Sequence, residues 1–258
     1  MWRWISARPW AVRLLQLLLV VMALGAWGYR GATSRKFQFF FSRPSRIAVR
    51  AWDWLTSLDI YRHAGLTLAE TATGFAVGVS LGLTLALICY YSPLVHRLIE
   101  PFMDIANAMP RVVFGPLFIL WFGLGMMSKA MLAASLVLFI VFFGTLAGLK
   151  EVDNHIVQKV KLFGAGPKDL LVHVLLPSAL SWVFSGLRSS IGFALAGAVV
   201  GEYVGSSRGI GYQIALAEGT LDATGIFAGL VILAAIVIGL NYLLGMLERF
   251  LTPWKTCA

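Results

Sequence analysis

Charge is scarce in this chain. Only 13% of its 258 residues are Asp, Glu, Lys or Arg, while 59% are hydrophobic and the mean hydropathy is +0.81; soluble domains carry about 25% charged residues. A soluble globule is excluded. Cysteine is almost missing, with Cys89 inside an apolar run, Cys257 in the tail and no C-x-x-C pair, so neither a disulfide framework nor a thiolate metal centre is expected. Neither G-x-x-x-x-G-K-[ST] nor a Rossmann glycine fingerprint occurs, which leaves the chain without an evident nucleotide site or cofactor of its own. H-E-x-x-H is absent, and His63, His96, His155 and His173 lack ligand spacing; no metal site is expected. Ser189 and Ser190 have only Arg188 beside them, a group that accepts no proton at neutral pH, so no catalytic residue is assigned. The net charge of +9 is scattered over connecting segments, which argues against a nucleic-acid partner.

What the sequence has in abundance is long apolar runs. They cover Ala11 to Tyr29, Leu66 to Tyr90, Ala130 to Leu149, Ala179 to Tyr203 and Gly225 to Leu247, with a harder stretch from Pro101 to Gly125. Six spans of about 20 residues would use roughly 120 residues, which suits an all-α polytopic membrane protein embedded in a lipid bilayer. The first run follows Arg3, Arg8 and Arg13 and is read as an uncleaved signal-anchor helix with its amino terminus inside, because tryptophans crowd both ends and the small-residue cleavage pattern is poor. In the second run Gly74, Gly78 and Gly82 recur at four-residue steps. This stripe predicts a packing seam. The Pro101 to Gly125 stretch has only Val112 to Leu124 as a purely apolar part and contains Pro110 and Pro116, so a broken or kinked crossing is expected.

With six crossings from an inside start, the connection after the fourth run lies in the cytoplasm. Its lysines, Lys150, Lys159, Lys161 and Lys168, agree. Seven basic residues between Arg30 and Arg62 fall on the external side, against that rule. Ile47, Ala51, Trp54, Leu55 and Leu58 recur there at helical spacing, with Arg46, Arg50 and Asp53 off that face; either a helix in the headgroup layer or a solvated charged face fits. The domains expected are 1–65, a first span and an external amphipathic segment; 66–250, a transmembrane domain containing the loop 150–178; and 251–258, a short cytoplasmic tail.

The loop has a physical reading of its own. Ile156, Val157, Val160 and Phe163 fall at helical offsets, so Asp153 to Phe163 is expected to form a short amphipathic helix capped by Asp153. Gly164 and Gly166 permit a reversal, Pro167 suits the first turn of a second short helix, and Pro177 is expected to end that element before the fifth span.

Four blocks of sequence carry a resemblance. The loop "VQKVKLFGAGPKDLLVHVLLP" resembles the cytoplasmic EAA loop of bacterial ABC-importer permeases at Gln158, Lys159, Val160, Gly164, Val174, Leu176 and Pro177, with Gln-Lys-Val in place of Glu-Ala-Ala. "FSRPSRIAVRAWDWL" with "LTLAETATGFAVGVSLGL", "PFMDIANAMPRVVFGPLFILWFGLG" and "GLRSSIGFALAGAVVGEYVGSSRGIGYQI" resemble taurine, sulfonate and nitrate importer permeases over roughly Pro44 to Leu247. The resemblance implies the ABC importer permease fold in a bacterial cytoplasmic membrane, working as a pair of copies beside two cytoplasmic ATPase subunits that bind ATP and Mg. An external solute-binding protein would deliver a small anionic solute. It further implies that the loop residues named above form the ATPase-coupling loop, and that Asn107, Arg188, Ser189 and Ser190 are candidates for the translocation path, with Arg188 either attracting an anion or anchoring the cytoplasmic headgroup boundary by snorkelling. Glu202 is a further candidate on that path, although its first reading is as an interfacial hydrogen-bonding residue and not as a gate. The alternatives are a single-component secondary transporter, for which paired intramembrane charges are wanting, and a noncatalytic scaffold.

A cysteine at Lys159, in a background without Cys89 and Cys257, is expected to react with a membrane-impermeant maleimide in inside-out vesicles and not in intact cells. Labelling in intact cells would reverse the topology.

Overall fold

The computed structural model describes residues 9–251, and for Pro9, Asn154, Pro167, Leu176, Ser181 and Leu251 the backbone only. Arg3, Arg8, Cys257 and all but the first residue of the expected tail lie outside the described residues. Every regular element among the described residues is helical: α1 (Pro9–Thr33), α2 (Arg35–Phe41), α3 (Pro44–Thr56), α4 (Leu58–Tyr91), α5 (Pro93–Ala108), α6 (Gly115–Phe122), α7 (Met126–Lys150), α8 (Asn154–Leu162), α9 (Pro167–Leu170), α10 (Leu176–Gly205), α11 (Ile210–Gly219) and α12 (Ala223–Leu251). Five of them, α1, α4, α7, α10 and α12, are long and apolar enough to cross a bilayer.

The kinked crossing takes a definite form. Helix α5 and the segment Arg111–Phe122 meet at 89° and together make a bent sixth span or a re-entrant loop. The break is at Met109, which is extended (φ −73°, ψ 138°) because the ring of Pro110 disfavours a helical residue before it. Pro116 breaks nothing, since it occupies the first turn of α6, where a missing N–H costs no bond. Gly123, at φ +74°, ends α6.

The described residues divide into two compact units, 9–60 with 213–232 and 61–212 with 233–251. In the first, Arg43 donates to the carbonyls of Gly31 (2.9 Å) and Ala32 and to Gln38 Oε1 (3.0 Å), so a cation closes the C-terminal turn of α1. Ser42 Oγ and Thr224 Oγ1 share a hydrogen bond of 2.8 Å, Arg50 pairs with Asp222 at 3.2 Å, and Trp27 meets Phe227 edge to face at 5.4 Å. The amphipathic face expected of 47–58 is buried only at Ile47 and Ala51, while Leu55 and Leu58 are exposed. For Leu58 the reason is local: Ser57 terminates α3 with ψ 137°, and Leu58 opens the next helix in a new register.

In the second unit α7 is the hub. Glu70, Gly74, Gly78, Gly82 and Ala86 form one buried row on α4, and Ser190, Ala194, Ala198 and Glu202 form another on α10. Four-residue rows of small side chains are ridges that allow backbones to approach. A Cβ on Gly74 would stand 2.5 Å from the Ala130 carbonyl oxygen, one on Gly78 2.7 Å from that of Ala134, and one on Gly82 2.8 Å from that of Leu138. On α10, a Cβ on Gly197 would come within 2.6 Å of Ala133 Cα. Between these rows Val137, Val141 and Ala194 pack with Phe75, Val79, Leu83 and Leu187.

Gly78→Leu is expected to lower the yield of folded protein and its unfolding midpoint, by the equivalent of about 1–3 kcal/mol for an overpacked contact. Thermal unfolding and size-exclusion yield in detergent measure the effect, and wild-type values would mean that α4 and α7 do not meet along this row.

Candidate functional site

The loop between α7 and α10 is a folded knuckle. Asp153 Oδ1 accepts the His155 N–H at 2.8 Å and starts α8. At its end Ala165 N–H bonds the Val160 carbonyl (3.3 Å) and Gly164 N–H that of Lys161 (3.0 Å), the paired bonds of a Schellman turn, with Gly164 at φ +86°. Gly166 N–H then donates to Asp169 Oδ2 at 3.2 Å and Leu170 N–H to the Gly166 carbonyl at 3.0 Å, which opens α9. Pro177 does not end the element as expected. Helix α9 passes through a π turn, Leu171–Leu175, directly into α10, with Pro177 in the first turn of α10; the wider turn accommodates the absent N–H and the ring.

The inner side of the knuckle packs Val157, Val160, Leu171 and Val174 on Leu149, Leu170, Leu175 and Ala179. The apolar edge read from the sequence is therefore divided. Val157 and Val160 turn inward, while Ile156 is 49% and Phe163 91% exposed, joined by Leu162 at 86%. Gln158, Lys159 and Gly164 are exposed, Pro177 is half-buried, and the side chain of Leu176 lies outside the described ones. Leu162 escaped the sequence reading because periodicity assigns it to the polar face, and its isolation at the apex is a tertiary fact.

The path candidates fall in different places. Arg188 and Ser189 are exposed on α10, whereas Ser190, one residue on, is fully buried and donates to the Leu187 carbonyl at 3.0 Å. Arg188 pairs with Glu248 of α12 at 2.6 Å. Asn107, exposed in the last turn of α5, accepts from Arg111 through both its side-chain and backbone oxygens. The Arg111 guanidinium also lies 4.2 Å over the Phe139 ring, a cation–π contact. Ser185, Arg188 and Ser189 thus form an exposed polar stripe well inside a membrane-length helix.

Glu202 sits at the end of the buried row on α10, 0% exposed. Its Oε1 accepts from the Thr67 hydroxyl at 2.6 Å and its Oε2 from Gly211 N–H at 2.7 Å, while Ile210 N–H donates to Thr67 Oγ1 at 3.0 Å. Gly209 N–H donates to His63 Nδ1 at 2.9 Å. The carboxylate therefore holds the start of α11 against α4. A Cβ on Gly209 (φ +110°) would stand 2.2 Å from that carboxylate, and one on Gly211 2.3 Å from the Val199 carbonyl, which accounts for both glycines. Glu70 and Lys129, each 1% exposed, complete the cluster, and Lys129 Nζ also donates to the carbonyls of Leu124 and Gly125. By sequence position Lys129 marks the end of the run that opens at Ala130 and Glu70 lies near the end of the run that opens at Leu66, which assigns neither to a buried cluster. The signal was present: Glu70 lies on the same four-residue row as Gly74, Gly78 and Gly82, so the neighbour that covers the glycines covers the carboxylate.

A family model described as binding-protein-dependent transport system inner membrane component matches residues 78–256. A probable ABC transporter permease protein of Haemophilus influenzae is 34% identical over 241 residues, covering 93% of this chain and 98% of that protein. The riboflavin transport system permease protein RibX of Chloroflexus aurantiacus is 31% identical, with 93% and 90% covered. The putative aliphatic sulfonates transport permease protein SsuC of Bacillus subtilis is 29% identical, with 93% and 87% covered. Among solved structures, the MetNI methionine ABC transporter in an inward-facing conformation matches with a TM-score of 0.66 at 18% identity, over 74% of this chain and 94% of that chain.

Glu202→Ala leaves the Gly211 N–H without an acceptor in a dry region, at an expected cost of about 1–3 kcal/mol, while the Thr67 hydroxyl keeps the His63 carbonyl as an acceptor at 3.1 Å. Gly209→Ala is expected to destabilise as well, by displacing the same carboxylate. Unfolding midpoints in detergent measure both, and unchanged midpoints would refute the clamp.

Proposed function

The chain belongs to the binding-protein-dependent transport system inner membrane components, and from that premise we propose that it is the membrane subunit of an ATP-driven importer of a small anionic solute of sulfonate, taurine or nitrate type. It works as a pair of copies in a bacterial cytoplasmic membrane. Two cytoplasmic ATPase subunits bind ATP and Mg and dock on the knuckle, and an external solute-binding protein delivers the solute. The chain transmits motion and carries out no bond-breaking step.

The observation that carries this reading is the exposed pair Leu162 and Phe163 at the apex of a loop held rigid by its own turns. Apolar side chains so placed are covered by a partner more readily than by water. Because α9 continues through the π turn into α10 without an interruption, closure of the ATPase pair would tilt α10 as one rod, and α7, packed along it, would follow. Gln158 and Lys159 flank the apex as polar rim contacts.

The solute class rests on Arg188 and on the quoted similarity to sulfonate-type permeases. Relatives of nearly equal identity are named for riboflavin and for aliphatic sulfonates, so family membership alone does not choose among solutes. The polar stripe Ser185, Arg188 and Ser189 is expensive against lipid. Facing the second copy or the path relieves that cost, and Glu248 provides Arg188 with a countercharge when no anion is present. Asn107 with Arg111 is the other group proposed to meet solute. Family membership favours this subunit over a single-component carrier.

Gly164→Trp is expected to abolish ATP-dependent uptake by proteoliposomes holding the full complex, because a side chain at φ +86° strains the turn and a bulky one obstructs the docking surface. Phe163→Asp is expected to reduce ATPase co-purification about tenfold, as loss of a buried aromatic anchor does. Normal uptake by either variant beside wild-type ATPase would refute coupling through the knuckle.

A further inference from the structure

The basic segment between α1 and α4, contrary to the charge rule, has a structural explanation in the first unit. Two of its cations are committed internally: Arg43 to the end of α1 and Arg50 to Asp222. Arg35 and Arg46 are not. Among the described residues neither forms a hydrogen bond or ion pair, yet both line one surface cleft of about 410 Å³ with Gln38, Phe39, Asp222 and Thr224. Helical spacing puts them there, since Arg35, Gln38 and Phe39 share a face of α2 and Ser45, Arg46, Val49, Arg50 and Asp53 share a face of α3. The adjoining cleft, about 380 Å³, adds Asp53 and Arg50, so over both clefts three guanidinium groups meet two carboxylates. Asp222, the only acid in the first cleft, is already neutralised by Arg50.

We infer that this cleft is a binding site for the phosphate of an anionic phospholipid headgroup in the external leaflet. Depth supports a lipid. The cleft is lined from α2, which begins at Arg35 just after α1 ends at Thr33, and from the start of α12, whose first residue is Ala223, so it stands where two membrane-length helices leave the hydrocarbon. Phosphates lie at that level. The surroundings support it too, because exposed Phe39 and Val49 line the two clefts, and Phe40 and Trp52 of the same helices are exposed as well, an apolar and aromatic surface suited to acyl chains and glycerol. Planar guanidinium forks match phosphate oxygens, and basic pockets between spans hold acidic headgroups. The charge excess on the external side is then a lipid site and not an error of topology.

The test uses the full chain in nanodiscs and in mild detergent, with lipid retention read by native mass spectrometry. Wild type is expected to retain phosphatidylglycerol over phosphatidylcholine. R35Q/R46Q is expected to weaken that preference about 25-fold, about fivefold for each cation at an anionic surface. Arg208→Gln, which removes one charge elsewhere, is expected to change nothing, and R35K/R46K to keep most of the preference. Equal preference in R35Q/R46Q, or equal loss in Arg208→Gln, would overturn the site. Displacement of the lipid by millimolar methanesulfonate, but not chloride, would reassign the cleft to a free oxyanion. Unchanged lipid retention with lost binding of the soluble receptor would reassign it to a protein contact.

Discussion

Close approach of helix backbones in a medium that offers no hydrogen bonds is the constraint on which this protein rests. Between apolar helices in lipid, hydrophobic transfer contributes little, and contact must come from dispersion at short range. Helix α7 satisfies that demand on two sides, receiving the glycine row of α4 and the small-residue row of α10 against its own Ala130, Ala133, Ala134 and Val137. Any side chain, alanine's methyl included, at Gly74, Gly78 or Gly197 would push the helices apart and weaken the contacts along the seam.

The same closeness explains the polar cluster at the end of those rows. Once α4 and α10 meet α7, Glu70, Glu202 and Lys129 have nowhere to reach water, and each polar atom must be paired within the protein or left costly. Glu202 answers by accepting from the Thr67 hydroxyl and from the Gly211 backbone N–H. The turn in consequence has no room for a Cβ at Gly209 or Gly211. What reads in the sequence as a string of familiar residues, from Glu202 to Gly211, is a single device for anchoring α11.

The knuckle is organised by the opposite logic, since water satisfies its outer face. Backbone groups close their own turns at Gly164 and Gly166, valines cover the inner side, and Ile156, Leu162 and Phe163 remain outside. Pro177, expected to separate loop from span, is absorbed by a wider helical turn, so the helix runs on from loop to span without a break.

Local features were readable from residues alone wherever they depend on neighbours in the chain. Runs of apolar residues marked the spans, Asp153 marked a helix start, Gly164 a reversal and Pro110 a break, because propensity, capping and sterics act over a few residues. Exposure and partnership were not readable in that way. Ser189 and Ser190 are adjacent and chemically identical, yet one is exposed and the other buried; Lys129 looks like a span end and is buried; Arg188 meets Glu248 from a helix 60 positions on. Such outcomes depend on which helix covers which face, and that is decided by packing between segments distant in sequence, where one-dimensional periodicity carries no information about the neighbour.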